Sequence, residues 1–460
     1  MKWYDSLFFI VLVSPAAALL FFPFVRKFVA PTLKAFHLGV AVSAVRLVAG
    51  AILANALFHG RAAFQLKINL VSDARMSGLF EADVRRVLFI AVSEMVFLFV
   101  HYFVDPAKVD SPERRITSAL AVLLQLLLPL MVFSSNLFFV CTAELLLVIT
   151  GFFAVRWFSY TRKDHESAGA AETMLFRYAL LAILLLAWGI AQLGFDGLSL
   201  SLIVENHVVP TTLLSWLWIV CFVVALPILP WSRWYRVLFD RDNDAVAMFA
   251  VLIAASAVFK VVEFGSLTYQ SLVFKQAVFL YCLGLFGVFF SISEFFSSEK
   301  LRLSLTALSR FFFSAVALSL GLAPSGSPSG AMLITTFVVG YMALALFVSS
   351  AISSNRFVTI ITIWFLGFLF GVPGSPVYFL YAFVGARSFA GGLELSVLFG
   401  LVWALYFFSV VHLSRIMLPA ARPAPFGSAG PDASVNLRMA YSAFVLLSLS
   451  VVCWIFGGRA

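Results

Sequence analysis

Long apolar stretches, separated by short polar or basic clusters, recur along the whole chain. They fall near 5–24, 36–58, 85–104, 115–133, 135–157, 173–194, 212–230, 245–265, 273–296, 303–323, 330–351, 354–372, 395–416 and 438–457. About 20 mostly apolar residues are enough to cross the hydrocarbon layer as a helix. A backbone inside lipid must pair its own N–H and C=O groups, which leaves helices and closed barrels, and these runs are too long for barrel strands. The pattern predicts an all-α polytopic integral membrane protein with about fourteen transmembrane helices. A shorter apolar piece at 376–388 follows Gly371, Val372, Pro373 and Gly374 and reads as the second half of a helix begun at 354 and broken there. The stretch 419–437, rich in Pro, Ala, Gly and Ser, reads as a flexible linker before the last helix. The chain reads as one membrane domain, residues 1–460.

Basic residues alternate along this pattern. The odd-numbered connections carry Arg26, Lys27 and Lys34; Lys108, Arg114 and Arg115; Arg162 and Lys163; Arg233, Arg236 and Arg241; Lys300 and Arg302; Arg415 and Arg422. The other connections are poor in Lys and Arg, with one exception at 59–86, which mixes Arg61, Lys67, Arg75, Arg85 and Arg86 with Asp73, Glu81 and Asp83. By the positive-inside rule this predicts both termini outside, in an inner (cytoplasmic or organellar) membrane. The exception reads as a small amphipathic hairpin. The N-terminal run continues past the small residues Ala16–Ala18, and Arg26 and Lys27 follow it. It reads as a first transmembrane helix rather than a cleaved signal.

Composition agrees: 62% of residues are hydrophobic and 12% charged, and the mean hydropathy is +1.03. The net charge of +9 is scattered in singles and pairs between apolar runs, which excludes a nucleic-acid partner and leaves topogenic charge beside lipid. Cys141, Cys221, Cys282 and Cys453 lie in apolar runs without CxxC spacing, and the histidines have no metal spacing. No metal, cofactor, nucleotide-binding module or catalytic constellation is expected, so the chain is not catalytic alone.

A charge at mid-bilayer costs about 2.5–3.5 kcal/mol on insertion scales, so those that remain are functional or paired. The candidates are Arg46, Glu94, Glu144, Arg177, Lys260, Glu263, Arg310 and Glu394. Glu144 stands out, because no basic residue lies within helical reach on its own run. A buried carboxylate poised between desolvation and a nearby cation suits proton handling; the alternative is a protonated Glu bonded to a neighbouring helix. Lys260 and Glu263 read either as a buried proton carrier with its neighbour or as an i,i+3 pair reaching the interface. Arg177 reads as an interfacial anchor unless it faces Glu144, and Arg310 as interfacial. Arg46 and Glu94 could pair across helices. Glu394 suits a helix start. Trp216, Trp218, Trp231 and Trp234 bracket the 212–230 run, where interface anchors sit.

Several of these residues also occur in a recognisable order. Ser134, Ser135, Asn136 and Leu137 lead into Glu144 and Leu145. Arg177 and Tyr178 open the next helix, Pro227 precedes Trp231, and Lys260 follows on the eighth helix. Lys300, Leu301, Arg302 and Leu303 enter the tenth, and Gly371 and Pro373 break the twelfth. The chain resembles the antiporter-like membrane subunits shared by respiratory complex I (NADH:quinone oxidoreductase) and Mrp-type sodium/proton antiporters. That resemblance implies fourteen helices with inverted repeats, here a first repeat core at 116–265 and a second, degenerate one at 273–416. It implies partner subunits in a multi-subunit assembly, protons or sodium as the ion, and translocation through Glu144, Lys260 and Arg177. Basic residues that the family carries elsewhere fall here near Phe222, Leu229, Ile334, Met342 and Tyr381, which makes this a divergent member. The expected function is therefore proton translocation or cation/proton exchange. A non-transporting structural subunit of the same assembly and an unrelated secondary transporter of a small solute are the alternatives.

Overall fold

The computed structural model describes residues 3–28, 35–58, 64–68, 78–103, 112–162, 165–194, 211–228, 232–240, 244–265, 274–298, 300–322, 329–351, 356–371 and 392–420, with isolated residues at 198 and between 375 and 386. The expected linker at 419–437, beyond Ala420, and the expected last helix at 438–457 lie outside the described residues.

The apolar runs fold as helices: α1 (Trp3–Phe28), α2 (Ala35–Phe58), α3 (Val84–Phe103), α4 (Pro112–Phe133), α5 (Leu137–Arg162), α6 (His165–Leu193), α7 (Thr212–Ala225), α8 (Arg233–Asp240), α9 (Asp244–Gly265), α10 (Phe274–Ser297), α11 (Leu301–Gly321), α12 (Ser329–Ala351), α13 (Arg356–Leu369) and α14 (Leu393–Ala420). Seven of these described helices are long and apolar enough to cross a membrane, and the chain is an all-α, multi-pass membrane protein. Helix α6 starts eight residues before the expected run, because the polar but Ala-rich stretch from His165 to Thr173 has good helix formers. The short α8 is amphipathic and was not marked by any apolar run.

The exceptional connection at 59–86 contains a β-hairpin. Strands β1 (Phe64–Ile68) and β2 (Gly78–Ala82) pair antiparallel, with Phe64 opposite Ala82 and Leu66 opposite Phe80. Phe64, Phe80 and Ala82 are buried on one face, while Gln65 is exposed on the other, the period-2 alternation of a half-buried ribbon. Phe80 also bridges to Ser134, just before α5.

Two compact units form. The first holds residues 1–226 and 233–273, the second 227–232 and 274–460. In the first, α9 is the centre. Its apolar span is wholly buried, and α3, α4, α5, α7 and α8 pack around it. In the second, α11 takes that place, against α10, α12 and α14. Both central helices are buried on nearly every face, and the few charged residues they carry, Lys260 and Glu263 on α9 and Arg310 on α11, are buried with them.

Two breaks mark the chain, the second of them expected from Gly371 and Pro373. Helix α7 ends at Ala225, Leu226 is extended, and Pro227 has no N–H to continue the ladder. Helix α13 ends at Leu369, and Gly371 takes φ +80°, a conformation that L side chains rarely adopt. Two interface readings are corrected: Trp218 and Trp234 are buried core residues. The Trp218 indole donates to the carbonyl of Val261 at 2.9 Å, and Trp234 meets Tyr178 edge-on. The Trp218 N–H and the ring area of both residues serve helix packing around α9 rather than the lipid boundary.

Helices α10 and α11 approach closely through small residues. A Cβ on Gly284 would lie 2.4 Å from the Leu318 backbone N, and one on Gly321 would lie 2.4 Å from the Tyr281 N. Such small-residue contacts hold helices together where lipid offers no hydrophobic drive. Gly284→Leu is expected to cost about 1–3 kcal/mol through overpacking. Gly400→Leu, with nothing near its Cβ, should leave stability unchanged. Thermal unfolding of the two purified variants in detergent checks this.

Candidate functional site

The site is built on the break before α5. Ser134 Oγ accepts from the Asn136 N–H at 3.2 Å, and Asn136 Oδ1 accepts from the Phe138 N–H at 2.9 Å, which caps the first turn of the helix. Eight residues on, about 12 Å along the axis, α5 carries Glu144. Its side chain is buried, and neither carboxyl oxygen has a hydrogen-bond partner among the described residues. Cys141 on the same helix, Tyr178 on α6 and Cys221 on α7 lie within electrostatic reach of it. A buried carboxyl without a partner is costly as an anion and settles as the neutral acid unless a cation or water reaches it.

Lys260 sits near the end of α9, also buried. Its ammonium donates to the carbonyls of Ser134 at 2.9 Å and Val132 at 3.2 Å, at the end of α4, and to Glu263 Oε2. Three donors thus find three acceptors. The other Glu263 oxygen accepts from Arg86 Nε at 2.5 Å. Arg86 opens α3 and also donates to the carbonyls of Glu81, at 2.7 Å, and Phe133, at 3.2 Å. The expected i,i+3 pair therefore forms, but in the interior and shared with an arginine from another helix. At the surface end, Asp83 Oδ1 accepts from the Arg86 backbone N–H at 2.8 Å, and its other oxygen takes the Arg85 guanidinium. Partial burial works against the Asp83 carboxylate, but the two arginines outweigh it and hold its pKa below the usual carboxylate value.

Arg177 is buried on α6 rather than reaching the interface. Its guanidinium donates to the carbonyls of Val224 at 2.5 Å, Val223 at 3.2 Å and Leu226. These belong to the last turn of α7, whose carbonyls have no intrahelical partner. Arg177 and Glu144 are thus not in hydrogen-bond contact.

Arg46 and Glu94 pair at 2.7 Å, with both side chains buried. Arg46 Nε donates to the Val11 carbonyl at 2.7 Å, and Glu94 also accepts from Ser43 and Gln125 at 2.9 Å each. His101 meets Gln125 Oε1 at 3.3 Å. In the second unit, Arg310 is not interfacial: it is buried and pairs with Glu294 at 2.6 Å. Glu394 is exposed in the first turn of α14.

Sequence reasoning missed Arg86, Glu81 and Glu294. For Arg86 there was a signal. Basic residues in a connection where the alternation predicts few are misplaced as topogenic charge, which marks them for another role. Glu294 gave none, because its pairing depends on how two helices pack.

Removing one member of the Arg46–Glu94 pair leaves an uncompensated buried charge, at a cost of about 3–5 kcal/mol. Glu94→Gln and Arg46→Met are each expected to destabilise by that order. The double variant should cost less than their sum, and a double-mutant cycle of detergent unfolding midpoints checks it.

No family model and no curated protein sequence matches the chain. Solved structures do. A chain from the membrane-bound sulfane sulfur reductase (MBS), an archaeal respiratory membrane complex, aligns over 97% of this chain and 94% of its own, with a TM-score of 0.77 and 12% identity. A chain from the Mrp complex of Dietzia sp. DQ12-45-1b aligns over 100% of this chain and 95% of its own, with a TM-score of 0.77 and 12% identity. The chain has the fold of these membrane-complex chains over nearly its full length.

Proposed function

We propose that the chain is a divergent antiporter-like subunit of a multi-subunit membrane assembly that moves protons or exchanges them for sodium. The observation that carries this reading is Glu144, a buried carboxyl without a hydrogen-bond partner among the described residues, on the first capped helix after a break. A fold shared with chains of an Mrp complex and a respiratory membrane complex supports the same reading. In this reading Glu144 accepts the proton and Lys260 is the next carrier. Arg177 supplies a fixed positive potential from the end of α7. A neutral acid can give or take a proton without leaving a charge stranded, provided a cation or water is near when it ionises. Residues 116–265 form the working repeat and 273–416 its degenerate counterpart. Lys and Arg placement supports both termini outside, in an inner membrane. The partners are other membrane subunits and the bilayer itself.

A second reading, a subunit that only holds the assembly together, is favoured by one observation. The Lys260 ammonium is saturated by three acceptors, and positions where the family carries basic residues are apolar here.

The two readings part on flux. With partner subunits in proteoliposomes, Glu144→Gln is expected to cut proton or sodium flux at least tenfold while the assembly stays intact. Equal flux in wild type and variant, or none in either, assigns the structural role.

A further inference from the structure

We infer that Glu263 is a shared counter-ion, divided between Lys260 and Arg86, and that Glu81 on the β-hairpin sets the division. The inference rests on reading Lys260 as a proton carrier. It extends that reading by tying the charge of Lys260 to the membrane face that bears the hairpin.

The geometry is a chain of alternating charge running from the interior outward. Glu263 gives one oxygen to Lys260 and the other to Arg86. The Arg86 guanidinium lies 3.6 Å from the Glu81 carboxylate. Its Nη2 donates to Ser135 Oγ at 3.2 Å, and that hydroxyl donates to Glu81 Oε2 at 3.3 Å. Lys260, Glu263 and Arg86 are buried, with side-chain exposures of 1%, 7% and 3%, and the chain reaches the surface at Glu81, with 28%. Arg86 stays charged at any working pH, so it always claims a carboxylate. If Glu81 holds it, Glu263 is released to Lys260 and the ammonium is stabilised. If Glu81 is withdrawn or neutralised, Arg86 draws on Glu263 and Lys260 gives up its proton more readily.

The groups acting on Lys260 are Glu263 on its own helix, Arg86 at the start of α3, and Asp83 just before it. Helix α4 presents the carbonyls of Val132 and Ser134. Helices α5, α7 and α8 also pack on α9 and carry the buried Glu144, Cys221 and Tyr235, none of which hydrogen-bonds to Lys260.

A shared counter-ion makes a signed demand that a merely structural cluster does not. Removing Glu263 leaves Lys260 facing a bare guanidinium. Removing Arg86 gives Lys260 the whole carboxylate and takes away a like charge. The two losses must move Lys260 in opposite directions.

The test uses full-length protein in liposomes and needs no transport. Trace acetic anhydride acylates only the neutral amine, and mass spectrometry reads the pH midpoint of Lys260 acetylation. Relative to wild type, Glu263→Gln is expected to move the midpoint down by about one pH unit or more. Arg86→Gln should move it up by a similar amount, and Glu81→Gln should move it down by less. Arg86→Lys should restore the wild-type midpoint. Glu81 lies on the half-exposed hairpin, so its variant remains informative if a buried one fails to fold. Midpoints that move together, midpoints that do not move, or a Lys260 that stays unlabelled at every pH overturn the inference. If wild type carries no flux but the midpoints split as expected, the transport reading falls and the shared counter-ion stands.

Discussion

A charge inside a hydrocarbon layer must be partnered or neutralised, and the interior of this protein is organised by that requirement. Burying an ion costs several kcal/mol even after relaxation, and a partner removes the cost only with close geometry and further hydrogen bonds. Arg310 is ion-paired with Glu294 at 2.6 Å, and Arg46 with Glu94, and Lys260 with Glu263 and Arg86, meet that condition in full. Glu144 does not. Its carboxyl sits in the same kind of interior with no hydrogen bond among the described residues, and an anion in that position is costly unless a cation or water reaches it.

The backbone supplies what side chains lack. Two of the buried cations are held by carbonyls at helix ends: Lys260 by Val132 and Ser134 after α4, Arg177 by Val223, Val224 and Leu226 after α7. The last carbonyls of a helix have no intrahelical partner and form the negative end of its dipole. A break within the membrane is therefore both a liability and a cation site, and each cation satisfies acceptors that lipid could not. The breaks near residues 134 and 226 and the basic residues that meet them are one device, used twice.

Much of this was legible in sequence. Run length and the absence of long polar stretches fixed class and helix positions, because lipid tolerates so few backbone solutions. Glu144 stood out for the same reason: a lone charge among Leu and Val has no bland surface explanation, whereas Lys260, with Glu263 three residues on, read equally well as a pair reaching the interface. Pairing was harder. Arg310 looked interfacial because Lys300 and Arg302 lie near it in sequence, yet it is buried against Glu294 from the helix before. Arg177 looked like an anchor four residues into an apolar run, but α6 begins much earlier and carries it inside. Trp218 and Trp234 sat at an expected boundary and proved to be core. In each case the deciding quantity was which helix faces which, a property of packing that no local pattern contains. Arg86 is the instructive exception, since its excess over the topogenic pattern was visible without any structure.

The central claim is that Glu144 carries an exchangeable proton while the other buried charges are held by counter-ions or, for Arg177, by the carbonyls at a helix end. Infrared difference spectroscopy on the assembly in membranes, under an imposed proton gradient, tests it most directly. The account predicts a protonated carboxyl band that responds to the gradient and vanishes in Glu144→Gln. A gradient response that is unchanged in that variant, or the absence of any Glu144-dependent band, would contradict it.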